Sequence, residues 1–423
     1  MDFGGKESVF ICDVDDIEKV YKMEETNPYR TPLAIVKTYC ERRGEPKGLG
    51  VVNGNEWGEL RRPAQYNMLR PLTVQRYFPL MSEVSEDFIK VLSAKSAIPD
   101  IRKELTKFAV ENTAYLSFSR RIGCLESDDN EFLDNFSAFF EELMKSFFDP
   151  PFYKIMKTKQ YRRFEEAADY MYGYVNKEVK RAHEELLKAQ ESGTFDPDSD
   201  PHLLHQLLSD KRITSPEKAK AIIIDLFNAG GETTASTVSF LLHHLASNKE
   251  AQEKLYQEIC RELPPDGALN EASLKRMSYA KACLKESFRC VFPIPLGSER
   301  RLEEDIVLKD YLIPKATSLS LCLNTNLTKD PNIFPDPDLY IPDRWMRGSQ
   351  QKVKNSFAML PFGFGARSCL GQRFAEQEMH ILMIKIIQHF MVSLPDPGKQ
   401  YEIIWKPFPD TTEPISLKLT PRR

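Results

Sequence analysis

Residues 362–371 read Phe362-Gly363-Phe364-Gly365-Ala366-Arg367-Ser368-Cys369-Leu370-Gly371. Five of these positions form the pattern F-x-x-G-x-R-x-C-x-G. Chance supplies such a match in a chain of this length and composition with odds on the order of one in ten thousand. Apolar residues recur at helical spacing over Gly371–Phe390, so Cys369 stands at a loop-to-helix junction. The free backbone N–H groups and dipole of such a junction favour a thiolate over a thiol. Arg367, two residues earlier, adds positive charge and can reach an anionic group on a bound ligand. Gly365 and Gly371 let the backbone approach a flat partner closely. A lone cysteine would read as a small core residue; this setting holds an anionic sulfur against a cofactor.

Three further motifs lie at other points of the chain. Lys285-Glu286-Ser287-Phe288-Arg289 contains E-x-x-R, which puts Glu286 and Arg289 on one helical face where they can pair. Upstream, Ala229-Gly230-Gly231-Glu232-Thr233-Thr234 falls in the middle of a long helical pattern. Paired glycines weaken a helix and need a packing or functional reason. A mid-helix Thr can bond the i−4 carbonyl and open the helix locally, and small neighbours leave room for a ligand or water. Trp57-Gly58-Glu59-Leu60-Arg61 spaces an indole and a guanidinium one helical turn apart. Each alone also fits a solvated helix face or ordinary core packing.

Taken together with the Cys369 segment, these motifs resemble the cytochrome P-450 family over almost the whole chain. The resemblance implies a mainly α fold with a small β subregion, with haem b lying between the long helix and the Cys369 loop. It implies that Cys369 is the axial ligand of the iron, a thiolate that favours O–O cleavage. Phe362 and Arg367 belong to the same haem loop, and Trp57, Arg61 and Arg300 correspond to residues at the haem propionates, with adjacent Arg301 an alternative. Glu232 and Thr233 correspond to the acid and alcohol that deliver protons to bound dioxygen. Pro342-Asp343-Arg344-Trp345 resembles the P-x-R-x motif whose arginine joins Glu286 and Arg289 in a buried structural triad. Pro293–Leu296, Phe408–Thr412 and the loop before Trp57 correspond to substrate-cavity walls.

Composition agrees with a globular enzyme that encloses a cofactor. The 423 residues are 41% hydrophobic and 28% charged, and the net charge of −4 gives nucleic acid no footing as a partner. Eight cysteines, none in C-x-x-C spacing, do not form a disulfide framework and point to a reducing compartment. No apolar run is long enough to span a bilayer. Residues 1–423 are expected to form one catalytic domain, shorter at the N-terminus than the family's usual domain and without its targeting segment.

Periodicity places a strand at Ser8–Cys12, a helix over Asp15–Lys22, a loop from Asn27 to Asn55 and mainly helix from Glu56 to Lys188. A helix opens at Ser215-Pro216 and runs to about Ser247, followed by helices near Asn248–Glu262 and Tyr279–Cys290. Short strands follow at Ile306–Leu308, Tyr311–Ile313 and Ser318–Leu321. Tyr401–Trp405 and Ile415–Leu419 are expected to pair as a closing hairpin.

The electron donor is read from Lys281-Ala282-Cys283-Leu284-Lys285-Glu286, which places two lysines one turn apart. It resembles the mitochondrial branch of the family, in which such lysines dock an acidic [2Fe-2S] ferredoxin that is itself reduced by a ferredoxin reductase. Arg373 is a third contact by the same resemblance. The implied reaction is insertion of one atom of O2 into a small apolar substrate: a sterol, secosteroid, lipid or xenobiotic. The implied location is the matrix side of the mitochondrial inner membrane with peripheral membrane contact; endoplasmic reticulum and cytoplasm are the alternatives. Two other functions stay open at this level: a haem-thiolate isomerase or dehydratase needing no external electrons, and a non-catalytic truncated isoform.

Overall fold

The computed structural model describes residues 8–127, 129–196, 202–264, 267–294, 297–321, 327–349, 353, 355–405 and 408–422. Fourteen α-helices dominate them: α1 Val14–Lys22, α2 Ala34–Arg43, α3 Gly54–Met68, α4 Pro71–Arg76, α5 Phe78–Ser93, α6 Ile101–Phe118, α7 Glu131–Lys145, α8 Lys159–Glu191, α9 Leu203–Ser209, α10 Pro216–Ser247, α11 Lys249–Glu262, α12 Glu271–Arg276, α13 Ser278–Cys290 and α14 Gln372–His389. The strands are short: β1 Ser8–Ile11, β2 Ala97–Ile98, β3 Ser298–Arg300, β4 Ile306–Leu308, β5 Tyr311–Ile313, β6 Ser318–Leu321, β7 Phe390–Ser393, β8 Ile403–Trp405, β9 Pro409–Thr411 and β10 Leu417–Pro421. The fold is therefore mainly α with a small β subregion, as the resemblance implied.

The organising element is α10. Pro216 occupies its first turn, where a missing N–H costs nothing. Ser215 stands at the cap position but its hydroxyl caps no backbone N–H. The helix runs unbroken through Gly230-Gly231, so Thr233 does not open it. A Cβ on Gly230 would lie 2.7 Å from Thr113 Oγ1, and one on Gly231 would lie 2.5 Å from the Phe136 ring. The two glycines thus serve close packing of α10 on α6 and α7, and the expectation that they leave room for a ligand is corrected.

Two apolar cores fill the interior. The larger joins α3, α5 to α8, α10, α13 and α14; the smaller gathers Ile17, Val20 and Tyr21 of α1 against Ile306, Leu319 and Leu321. In the smaller region β6 pairs in parallel with β1, from Ser8↔Ser318 to Ile11↔Leu321, and antiparallel with β3 on its other side.

Two expectations were overturned here. The stretch 27–55 is not all loop, because Ala34–Arg43 forms α2 and buries Ile35, Val36, Tyr39 and Cys40. Its helical signal is short and bracketed by Pro32 and by Gly44, which ends it at φ 70°. The closing hairpin also pairs differently. β8 pairs with β9, Ile403 opposite Thr411, while β10 goes to β7 and β2. The nearer partner closes a shorter loop, and β10 is left to bury Leu417 and Leu419.

On α14, Glu378 is a buried acid, and burial pushes its carboxyl up to about 8, with only partial relief from Asn112. The folded state therefore binds its proton more tightly than the unfolded chain does. Below about pH 4 both states are protonated and the group is neutral to stability. As pH rises towards 8 the unfolded chain ionises first, so stability falls, by up to on the order of 4 kcal/mol. Glu378→Gln should flatten that decline, and thermal melts from pH 5 to 9 check it: parallel slopes for both proteins would refute the assignment.

Candidate active site

The Cys369 segment folds back on itself. Gly363 and Gly365 adopt φ of 71° and 73°, a region that favours glycine. These turns bring the Cys369 N–H to the Phe362 carbonyl at 2.7 Å and the Ser368 N–H to the Gly365 carbonyl at 3.1 Å. α14 begins three residues after the cysteine, confirming the loop-to-helix junction. Cys369 keeps exposed surface although protein surrounds it densely, so it opens onto interior space rather than onto the outer surface. Ala229, midway along α10, is exposed as well.

The electrostatics of the sulfur differ from the sequence expectation. Burial raises the thiol above its ordinary value; the Gly371 N–H and the Arg61 charge act in the opposite direction and do not overcome it. The junction alone therefore does not make a thiolate. A metal ion would, since a coordinating thiol is deprotonated outright.

Beside this loop lies a group of arginines. Arg367 is fully engaged, donating to the carbonyls of Pro28 (2.9 Å), Leu49 (3.3 Å) and Val52 (3.4 Å) and to Asn53 Oδ1 (2.7 Å). It also stacks 4.0 Å from the centre of the Trp57 ring. Arg61 donates to the Ser368 carbonyl at 2.7 Å, and its Nε is buried with no partner. Arg300 pairs with Glu24 and reaches the Phe364 carbonyl at 3.4 Å. Burial pulls Arg61 down to about 10; burial and the neighbouring guanidiniums of Arg30, Arg300 and Arg61 pull Arg367 down to about 9. Buried cations in excess of nearby carboxylates are costly unless an anion joins them. Interior space bounded by a sulfur ligand and by unbalanced guanidiniums fits haem, whose carboxylates would supply the missing charge. Arg30 belongs to this group and no motif marked it; it becomes visible only once the loop before α2 folds against the Cys369 segment.

Behind the loop, Glu286, Arg289 and Arg344 come together with no side-chain exposure. Arg289 donates through Nε (3.0 Å) and Nη2 (2.8 Å) to the two Glu286 oxygens, and Arg344 Nε donates to Oε1 at 3.0 Å. Trp345 Nε1 (2.8 Å) and the Ile341 N–H (2.9 Å) complete the carboxylate shell. Remaining arginine donors reach the carbonyls of Thr328, Pro337, Leu339 and Pro335. The network is saturated, the condition for holding charge in a core.

On α10, the Thr233 hydroxyl bonds the Ala229 carbonyl at 2.5 Å on the exposed face. Glu232 points elsewhere: its oxygens meet Arg102 Nη2 and Thr106 Oγ1 of α6, each at 3.2 Å. The acid and alcohol are neighbours in sequence but not in direction. About two turns before them, Asp225 accepts the Gly50 N–H at 3.0 Å, and burial pushes its carboxyl up to about 6. No sequence signal had singled it out.

The Cytochrome P450 family model matches residues 1–419. The chain belongs to the cytochrome P450 family. Cytochrome P450 10 of Lymnaea stagnalis is 32% identical over 98% of this chain and 76% of its own length. The mitochondrial sterol 26-hydroxylase of Rattus norvegicus is 28% identical over 94% of this chain and 76% of its own length. The crystal structure of the cytochrome P450DA heme domain superposes with a TM-score of 0.84 at 19% identity, covering 100% of this chain and 89% of that one. As a cytochrome P450, this protein is a haem-iron monooxygenase, and its relatives include mitochondrial enzymes. The cofactor expected from the Cys369 segment is that of the family.

A groove of about 1030 Å³ lies beside the Cys369 loop of this P450. Phe362 of the Cys369 loop lines it together with Lys281, Lys285 and Arg373, so the three basic residues read from the sequence share one surface. Lys285 lies 5.9 Å from the Trp345 ring centre, and Lys281 donates to the Lys275 carbonyl at 2.7 Å. Of the expected cavity walls, Phe408 packs on Phe140 at 5.6 Å, while Pro295 and Leu296 lie outside the described residues.

Proposed function

We propose that this P450 hydroxylates an apolar substrate, of sterol, secosteroid, lipid or xenobiotic class, with electrons from a [2Fe-2S] ferredoxin. Residues 1–423 form one catalytic domain in this reading. Cys369 holds the iron, and Phe362, Trp57, Arg61, Arg300 and Arg367 hold the porphyrin and its carboxylates. When bound, haem supplies activation of dioxygen, which a thiolate ligand promotes. Thr233 holds a hydroxyl at the exposed face of α10, and Glu232 supplies the protons that leave as water. The balance is R–H + O2 + 2 e⁻ + 2 H⁺ → R–OH + H2O. Glu286, Arg289 and Arg344 keep the Cys369 loop in place and take no part in the chemistry.

The observation that carries the ferredoxin reading is the groove behind the Cys369 loop, with Lys281, Lys285 and Arg373 along it. Basic walls beside the ligand loop steer an acidic partner to the shortest electron path. An isomerase that needs no external electrons has no use for such a face, nor for Glu232 beside Thr233. The sterol 26-hydroxylase relative supports a mitochondrial location. Between α7 and α8, Phe147, Phe148, Phe152, Ile155 and Met156 are all exposed, with lysines 154 and 159 nearby. That apolar, basic-flanked turn is the proposed membrane contact; among the described residues no helix is long and apolar enough to cross a bilayer.

Turnover should appear with reduced ferredoxin. The Lys281→Glu/Lys285→Glu double variant should raise the ferredoxin KM at least about tenfold and flatten its dependence on ionic strength, with an unchanged haem spectrum. Equal KM values in the variant and the parent would remove the basic face from the argument.

A further inference from the structure

The contacts of Glu232 raise a question that the proposed reaction leaves open: what holds this acid. Its bond to Thr106 is shared, because the Thr106 hydroxyl has one proton and also lies 3.0 Å from the Arg102 carbonyl. The firmer restraint is therefore Arg102, on the first turn of α6. That guanidinium is itself anchored elsewhere. Its Nη1 donates to Asp410 Oδ1 at 2.7 Å, shorter than the 3.2 Å from Nη2 to Glu232, and also lies 3.5 Å from the Pro409 carbonyl. One turn past Glu232, Ser236 Oγ donates to the same Pro409 carbonyl at 3.1 Å. Three segments distant in sequence thus converge: the start of α6, the middle of α10 and the strand β9.

We propose that Arg102 is a positioning residue, through which strand β9 of the β8–β9 hairpin sets where the Glu232 carboxylate points. The inference rests on reading Glu232 as the proton source for the Thr233 site. Consecutive helical residues project about 100° apart, and Glu232 faces α6 rather than Thr233, so in this reading its protons reach the Thr233 site through water from the place where the carboxylate is held. Glu has three rotatable bonds, and a guanidinium held by Asp410 restricts that freedom. The guanidinium suits this role because separate nitrogens bond separate carboxylates, which a single ammonium does less well. The hairpin also packs against α7 through Phe408 and Phe140.

The test uses Arg102→Gln, Arg102→Lys and Asp410→Asn in the full chain. Arg102→Gln should lower the fraction of electrons recovered as hydroxylated product about fivefold, the remainder appearing as hydrogen peroxide. Substrate affinity should stay within about twofold, a split that a merely structural residue would not give. Arg102→Lys should restore part of the loss, and Asp410→Asn should show a smaller loss of the same sign. Independently of turnover, amide hydrogen exchange in β8 and β9 should quicken about tenfold in Arg102→Gln. Unchanged exchange would overturn the link to the hairpin. Quickened exchange with parental product yield would overturn the positioning role. If the parent itself made no product with any reductant, the monooxygenase reading and the role of Arg102 would both fall, and the exchange result would then show the link to be structural only.

Discussion

Cys369→Ser is expected to abolish the thiolate signature of the reduced, carbon-monoxide-bound enzyme and to lower hydroxylation by at least about a thousandfold. The geometry separates ligand loss from misfolding. The loop is closed by the Cys369 backbone N–H on the Phe362 carbonyl, by Gly363 and Gly365 at positive φ, and by Arg61 on the Ser368 carbonyl. None of these uses the sulfur, and serine is of similar size. The fold should therefore be kept while the Soret band moves to the neutral-ligand position or haem is lost, with a lower thermal midpoint only in the second case. Cys369→His keeps a ligand atom but a neutral one, and should likewise lose the thiolate band. The sulfur has a second sensitivity. Burial raises this thiol before metal binds, so haem insertion must release its proton. An unshifted thiolate spectrum in Cys369→Ser would sink the assignment.

Glu286→Gln is expected to cost about 3–5 kcal/mol of stability, a large effect for one atom changed to its near-isostere. Two guanidiniums, one backbone N–H and one indole N–H converge on this carboxylate, which has no solvent exposure. The amide presents N–H groups where donors already point and leaves two buried cations without a counter-charge. Denaturant unfolding of the haem-loaded protein measures the loss. A control comes from the surface Lys22–Glu18 pair at 2.6 Å, whose removal should leave stability almost unchanged. Equal effects at both sites would show that the triad is not a structural centre.

What was legible before folding was what short spacing encodes. The F-x-x-G-x-R-x-C-x-G segment, the Glu286–Arg289 pair and the start of α10 at Pro216 each depend on residues within one or two turns of one another. The strands β4, β5 and β6 appeared where alternation placed them. The lysines of α13 proved to share a groove because an i, i+4 pair keeps one face in any context. Arg344 was foreseen by resemblance, and the structure seats it on Glu286.

The rest needed contacts between residues far apart in the chain. Gly230 and Gly231 are explained by Thr113 and Phe136, on other helices. Glu232 faces Arg102, 130 positions away, rather than its sequence neighbour Thr233. β10 left the expected hairpin because β7 and β2 offered a longer ladder. The guanidiniums around Cys369 come from α3, β3, the Cys369 loop and the stretch before α2, so their excess of charge exists only after assembly. The sulfur shows the division most clearly. Its sequence neighbours and the following helix favour a thiolate, and the sequence determined both; burial, a sum over every element packed around it, opposes them and wins. Local spacing thus determined which groups are present and in what order. Desolvation and pairing, being long-range sums, were decided by the tertiary structure alone.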